Sequence, residues 1–200
     1  MFLQSVLQFL NTIPPIIPQI IGVGAVVLFL CSYLQKKRQN IIVLNVISRI
    51  LYILQYVLLG AFSGAILDIM AVFSSTIASK RDKSKFIQNN VVAIVVVVDL
   101  IMVAVGVTLA VINQSVLDLL PVAGVILHTS AFYIKSEKKI RIVSLLGSPF
   151  WFVYNFLSHA YGSAVGDILS MVSIVIAMIR YRNDKSEQMQ SVTKSEDGEN

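Results

Sequence analysis

Polar residues are sparse along this chain, and they divide it into seven apolar stretches at about 17–35, 41–59, 61–79, 91–112, 116–134, 140–158 and 161–179. Each has about 20 residues, which as an α-helix rising 1.5 Å per residue crosses the roughly 30 Å hydrocarbon core of a bilayer. The runs are too long for strands and lack the alternation of lipid-facing and lumen-facing positions that a membrane barrel requires. The pattern predicts an all-α polytopic membrane protein with seven transmembrane spans, numbered here 1 to 7 in chain order. Composition agrees with it. Of the 200 residues 56% are hydrophobic and mean hydropathy is +0.78, too apolar to furnish the surface of a soluble domain.

The pattern also occurs twice. Shifted by 99 positions, Gln19–Lys83 overlies Asp118–Arg182 without a gap, and 14 of the 65 positions are identical. Apolar matches such as Val23/Val122 and Ile77/Ile176 carry little weight in so apolar a chain. The polar matches Lys36/Lys135, Asp68/Asp167, Ser74/Ser173 and Arg81/Arg180 carry more. Each copy holds three spans, and an odd number would invert the second copy in the membrane if the two were joined directly. Span 4 has no counterpart and adds the crossing that restores the orientation. The predicted plan is therefore 3+1+3, two parallel three-helix repeats joined by a linker helix. Its segments are an outer interfacial piece (1–16), repeat 1 (17–83), the linker (84–115), repeat 2 (116–182) and a polar, disordered cytoplasmic tail (183–200).

Charge orients this plan. Apart from Arg49, every Lys and Arg follows spans 1, 3, 5 or 7, whereas residues 59–62, 113–118 and 158–162 contain none. The positive-inside rule then places the N-terminus outside and the C-terminus in the cytoplasm. A net charge of +5 distributed in this way marks loops at one membrane face and not a nucleic-acid surface. The single cysteine, Cys31, lies in apolar span 1 and reads as a packing residue. Residues 1–13 lack the basic start of a cleavable signal peptide and precede Pro14, Pro15 and Pro18, which interrupt a helix.

Ionisable groups inside a bilayer are expensive and call for explanation. Arg49, Asp68, Asp99 and Asp167 qualify, with His128 a weaker fifth. In span 2 the helical spacing i, i+4, i+7, i+11 aligns Asn45, Arg49, Tyr52 and Tyr56 on one face, and the equivalents in span 6 are Ser144, Ser148, Trp151 and Asn155. Aromatics that stack and amides and hydroxyls that orient suit a cavity for a polar, partly flat solute. Interhelical hydrogen bonding is the plainer reading of the same stripe. Asp68 and Asp167 occupy one repeat position, either as an acidic pair that binds a cation, a proton or a solute hydroxyl, or as carboxylates near helix N-termini. Arg49 and Asp99 lie at equal depth, eight residues from the inner ends of their spans, which predicts a structural ion pair between repeat 1 and the linker. Arg49 as receptor for an anionic solute is the alternative. His128 reads as a hydrogen-bonded helix contact or as a proton relay.

The segment Leu120-Pro121-Val122, the run Asn155-Phe156 with Gly162 and Asp167, and the closing Arg180 resemble the YgjV family of bacterial inner-membrane proteins, most clearly over 118–182. The resemblance implies an inner-membrane location and no particular chemistry. The 3+1+3 plan is also similar to that of SWEET sugar carriers and PnuC vitamin transporters. In SWEET carriers, however, a proline recurs in the first helix of each repeat and an asparagine in the third. Here the third spans carry Asp68 and Asp167, and the prolines are out of register, so sugar specificity does not transfer. No metal-ligand, nucleotide-phosphate or nucleophile–base pattern occurs, so no enzyme activity, metal or cofactor is expected. The sequence reads as a secondary carrier for a small polar solute, with a non-transporting membrane-embedded binding or regulatory protein as the rival. Expected partners are the solute, the lipid bilayer and possible further copies of the chain.

Overall fold

The computed structural model describes residues 12–173 together with 175 and 176, and among them every regular element is helical. Seven helices account for most of the chain: α1 (Ile16–Tyr33), α2 (Arg38–Leu59), α3 (Phe62–Ser79), α4 (Val91–Ile112), α5 (Leu120–Ala131), α6 (Glu137–Leu157) and α7, described over 161–173. Most of the expected outer segment and the whole tail lie outside the described residues, as does the end of the seventh span. Of the described helices, α1, α2, α3, α4 and α6 are long and apolar enough to cross a membrane.

α5 departs from the expected 116–134. Its α-helix has 12 residues, preceded by a tighter turn over Val116–Leu119. Pro121 is the cause. Proline lacks the N–H that a helix interior needs but fits the first turn, so the helix starts there and not five residues earlier. Pro18 sits similarly early in α1, whose regular winding begins just after Pro14 and Pro15.

Apolar side chains cover the outside of the bundle as well as its core, and many polar ones are buried. Val96, Leu100, Val103 and Val107 of α4 and Phe73, Phe150 and Val165 elsewhere are exposed, facing the position of lipid. Asn45, Ser48, Arg49, Gln55, Asp68, Ser144, Ser148, Asn155, Ser163 and Asp167 are buried between helices. α4 is the most peripheral helix, burying Met102 and Gly106 against its neighbours. A Cβ on Gly106 would fall 2.1 Å from Val122 Cγ2, which shows how closely α4 approaches α5.

Two turns repeat at the 99-residue interval. After α2, Gly60 takes a left-handed φ of 72° and Ala61 N–H bonds Tyr56 O at 2.9 Å. After α6, His159 takes φ 60° and Ala160 N–H bonds Asn155 O at 2.8 Å. The same helix-ending turn is made with glycine once and with a less suited residue the second time.

Hydrogen bonds define the two ends of the bundle. At the basic end Arg38, buried, reaches Ala78 O (2.8 Å), Ile134 O (3.1 Å) and Asp82 (3.0 Å), and Arg141 reaches Gln35 O (3.2 Å). These contacts tie the ends of α1, α3 and α5 to the starts of α2 and α6. At the charge-poor end Gln19 of α1 bonds His159 O (2.9 Å) and Gly162 N–H (3.0 Å), while Asn113 bonds Ser63 (3.1 Å) and Asp118 (2.7 Å).

Candidate functional site

The polar faces of α2 and α6 turn toward each other at mid-bundle. Between them lies a cavity lined by Phe29 of α1, Arg49, Tyr52 and Tyr56 of α2, Asp68 of α3, His128 of α5, Trp151 and Asn155 of α6, and Asp167 of α7. All but Tyr52 are buried. The cavity measures about 20 Å³, room for roughly one water.

Eight of the nine lining residues form four pairs separated by 99 positions: Phe29/His128, Tyr52/Trp151, Tyr56/Asn155 and Asp68/Asp167. Two of these pairs also touch each other. The Phe29 and His128 rings stack at 6.0 Å, and Tyr56 OH donates to Asn155 Oδ1 at 2.7 Å. Flanking contacts interchange under the same shift. Ser163 OH donates to Gln55 Oε1 at 2.5 Å, and in the counterpart Gly64 N–H donates to Tyr154 OH at 2.9 Å. The ninth lining residue is Arg49, whose counterpart Ser148 bonds Ser144 O of its own helix at 3.2 Å and does not reach the cavity.

Arg49 is held on one side of the site by two side chains. Its Nε donates to Asn45 Oδ1 at 2.9 Å and its Nη1 to Asp68 Oδ1. The expected Arg49–Asp99 ion pair is therefore corrected. Asp99 accepts from Ser130 OH at 2.8 Å and is only half-buried. Residue counting gives depth along a helix but not the side from which a neighbour approaches. α4 sits outside α3 and α5, whereas α3 follows α2 after a two-residue turn. The depths of Arg49 and Asp68 differ by about four residues, ~6 Å, which the long arginine stem spans.

Asp167 is held differently from Asp68. Asn155 Nδ2 donates to Asp167 Oδ2 at 2.7 Å, and Ser170 OH donates to the Asp167 backbone carbonyl at 2.8 Å. Tyr56, Asn155 and Asp167 thus form a chain in which the tyrosine fixes the amide and the amide fixes the carboxyl. Tyr52, Tyr56 and Trp151 stack in succession with centroids 6.3 and 6.1 Å apart. The His128 ring bonds Ser144 O at 2.8 Å. Asn45 and Ser148 lie beside the cavity, Asn45 as a partner of Arg49.

Phe29 escaped the sequence reading because an aromatic in an apolar span carries no signal of its own. Its repeat equivalence with His128 was the available clue. Tyr154 was also missed. It lines a recess of about 390 Å³ at the charge-poor end together with Gly60, Ser63, Asn113, Asp118 and Ser158. It also meets Tyr56 and Trp151 edge-on at 6.0 and 6.1 Å. Tyr154 thus lines the recess and contacts two residues that line the cavity.

Residues 16–185 match the family described as Imp-YgjV, bacterial inner membrane protein. No curated protein and no solved structure matches the chain.

Proposed function

This chain belongs to the YgjV family of bacterial inner-membrane proteins, and we propose that it is a secondary carrier for a small polar solute, built as 3+1+3 and working by alternating access. The observation that carries this reading is the four residue pairs, each 99 positions apart, that line one cavity within the bundle. In duplicated carriers the solute site lies where the copies meet, and access alternates as one copy rocks against the other. The ends support it as well. Arg38 and Arg141 join helix ends at the basic end, while the other end holds a recess lined by Tyr154. The aromatic stack and the Arg49, Asn155 and Asp167 polar groups suit a flat solute with hydrogen-bonding edges. Such a protein moves its solute chemically unchanged and is not an enzyme.

The cavity's size favours a second reading. At about 20 Å³ it admits a water and no solute, as in a protein whose polar seam only packs. Uptake into proteoliposomes from a panel of sugars, nucleosides and vitamins separates the two. Accumulation of one solute class, lost with Asn155→Ala, supports the carrier; no uptake by verified folded protein favours the rival.

The proposed orientation puts the basic end in the cytoplasm. In a Cys31→Ser background, cysteines at the exposed positions Gln114 and His159 are expected to label from outside in intact cells, and one at Lys139 only after permeabilisation. The reverse pattern inverts the topology.

A further inference from the structure

The cavity contains two carboxylates and one guanidinium, and the guanidinium is committed to Asp68. Asp167 is 7% exposed, and among the described residues no Lys or Arg stands at salt-bridge distance from it. Its side-chain donor is the neutral amide of Asn155, oriented in turn by Tyr56 OH. The charged and titratable groups around it are Arg49, Tyr52 and Tyr56 from α2, Asp68 from α3, His128 from α5 and Tyr33 from α1. Of these, Arg49 is paired elsewhere, Asp68 is a like charge, and the His128 ring is bonded to Ser144 O. For a buried carboxyl with one neutral side-chain donor and a second carboxylate in the same cavity, the ionised form is strongly disfavoured.

We propose that Asp167 is the proton-exchanging group of this protein and that Asp68 is not. In the closed state Asp167 is the neutral acid, with Oδ2 accepting from Asn155 and Oδ1 carrying the proton. When the site opens to water, the Oδ1–H bond breaks, the proton passes to water and Asp167 becomes a carboxylate. Reprotonation from water on the other side restores the acid. No electron moves and no other bond changes. Asp68 stays ionised against Arg49 throughout. The two equivalent positions differ because the counterpart of Arg49 is Ser148, which leaves Asp167 without a cation at that position. Within the carrier reading, on which its coupling role rests, solute movement is then linked to a proton.

The test needs no transported solute. Infrared difference spectra of the full chain, in a detergent free of ester groups, read protonated carboxyls directly. At neutral pH the wild type is expected to show a protonated-carboxyl C=O band that Asp167→Asn removes and Asp99→Asn leaves. Asp167→Glu is expected to keep the band at a shifted frequency, which guards against loss of fold in the Asn variant. Trp151 is the chain's single tryptophan and lines the same cavity, so its fluorescence is a second readout. Its intensity is expected to titrate with pH in the wild type, with the midpoint displaced in Asp167→Glu and the transition lost in Asp167→Asn. A wild type without the band, or a band that survives Asp167→Asn, overturns the proposal. Uptake failing while the band behaves as expected removes the carrier reading and leaves this assignment standing.

Discussion

Arg49 shows what a single residue's environment determines. Its guanidinium lies between Asn45 and Asp68 at 3% exposure, so its removal leaves a carboxylate buried without a cation. Breaking one side of such a pair costs about 3–5 kcal/mol, whereas replacing both sides by apolar groups of similar volume is often close to neutral. Arg49→Ala is therefore expected to lower the melting temperature in detergent sharply, and Arg49→Met with Asp68→Leu to recover most of the loss. Asp99→Asn is expected to change stability little, because Asp99 is half-buried and its partner is the Ser130 hydroxyl. A large effect of Asp99→Asn that matches that of Arg49→Ala, together with a small one of Asp68→Asn, would restore the pairing that equal depth suggested. A neutral contact is tested by Tyr56→Phe, which strands Asn155 Oδ1 and is expected to cost about 1–3 kcal/mol. The chemistry-bearing residues were legible individually, since charges and amides stand out in apolar helices. Their partners were not, because helical spacing sets depth and face while partner choice depends on which helix approaches that face.

At the scale of elements, close approach governs the packing. α7 lies so near α1 that a Cβ on Gly166 would fall 2.0 Å from Val26 Cγ2, and on Gly162 2.9 Å from Gln19 O. Small residues at such crossings are what hold membrane helices together when no hydrophobic force acts between them. Gly166→Val is expected to separate α7 from α1 and to destabilise by about 1–3 kcal/mol, the usual range for overpacking. Gly60→Ala places a Cβ at a left-handed φ and is expected to cost about 1–2 kcal/mol although open space surrounds it. Comparing the two melting temperatures separates backbone strain from crowding. Most helix boundaries were readable from the apolar runs. α5 was not, because its run of apolar residues continues upstream of Pro121 while the α-helical hydrogen bonds do not. Hydropathy records the environment of a segment, and only the backbone chemistry of proline records where winding can begin.

For the whole molecule, the legible feature was the 99-residue spacing of matching positions, and the illegible one was which of those positions meet. A shift of 99 residues in the sequence does not reveal that Phe29 faces His128 or that Tyr56 donates to Asn155. Whether two residues 99 positions apart touch depends on how every helix around them packs. In the proposed carrier the two ends compete. If the copies rock, tightening one end loosens the other, and the contacts of Arg38 with Ala78 O and Ile134 O weigh against opening at the basic end. Arg38→Ala removes that weight and shifts the population toward the state open there, by tenfold for each 1.4 kcal/mol lost, roughly. The readouts are two single cysteines in a Cys31→Ser background. Ser158→Cys lines the recess and is expected to react more slowly with a water-soluble thiol reagent once Arg38 is gone. Ser144→Cys, fully buried below the basic end of α6, is expected to react faster. Reciprocal changes of similar size follow only if one equilibrium controls both ends. If Ser144→Cys gains reactivity while Ser158→Cys keeps its own, removal of Arg38 has merely frayed the basic end, and the bundle does not rock as two bodies.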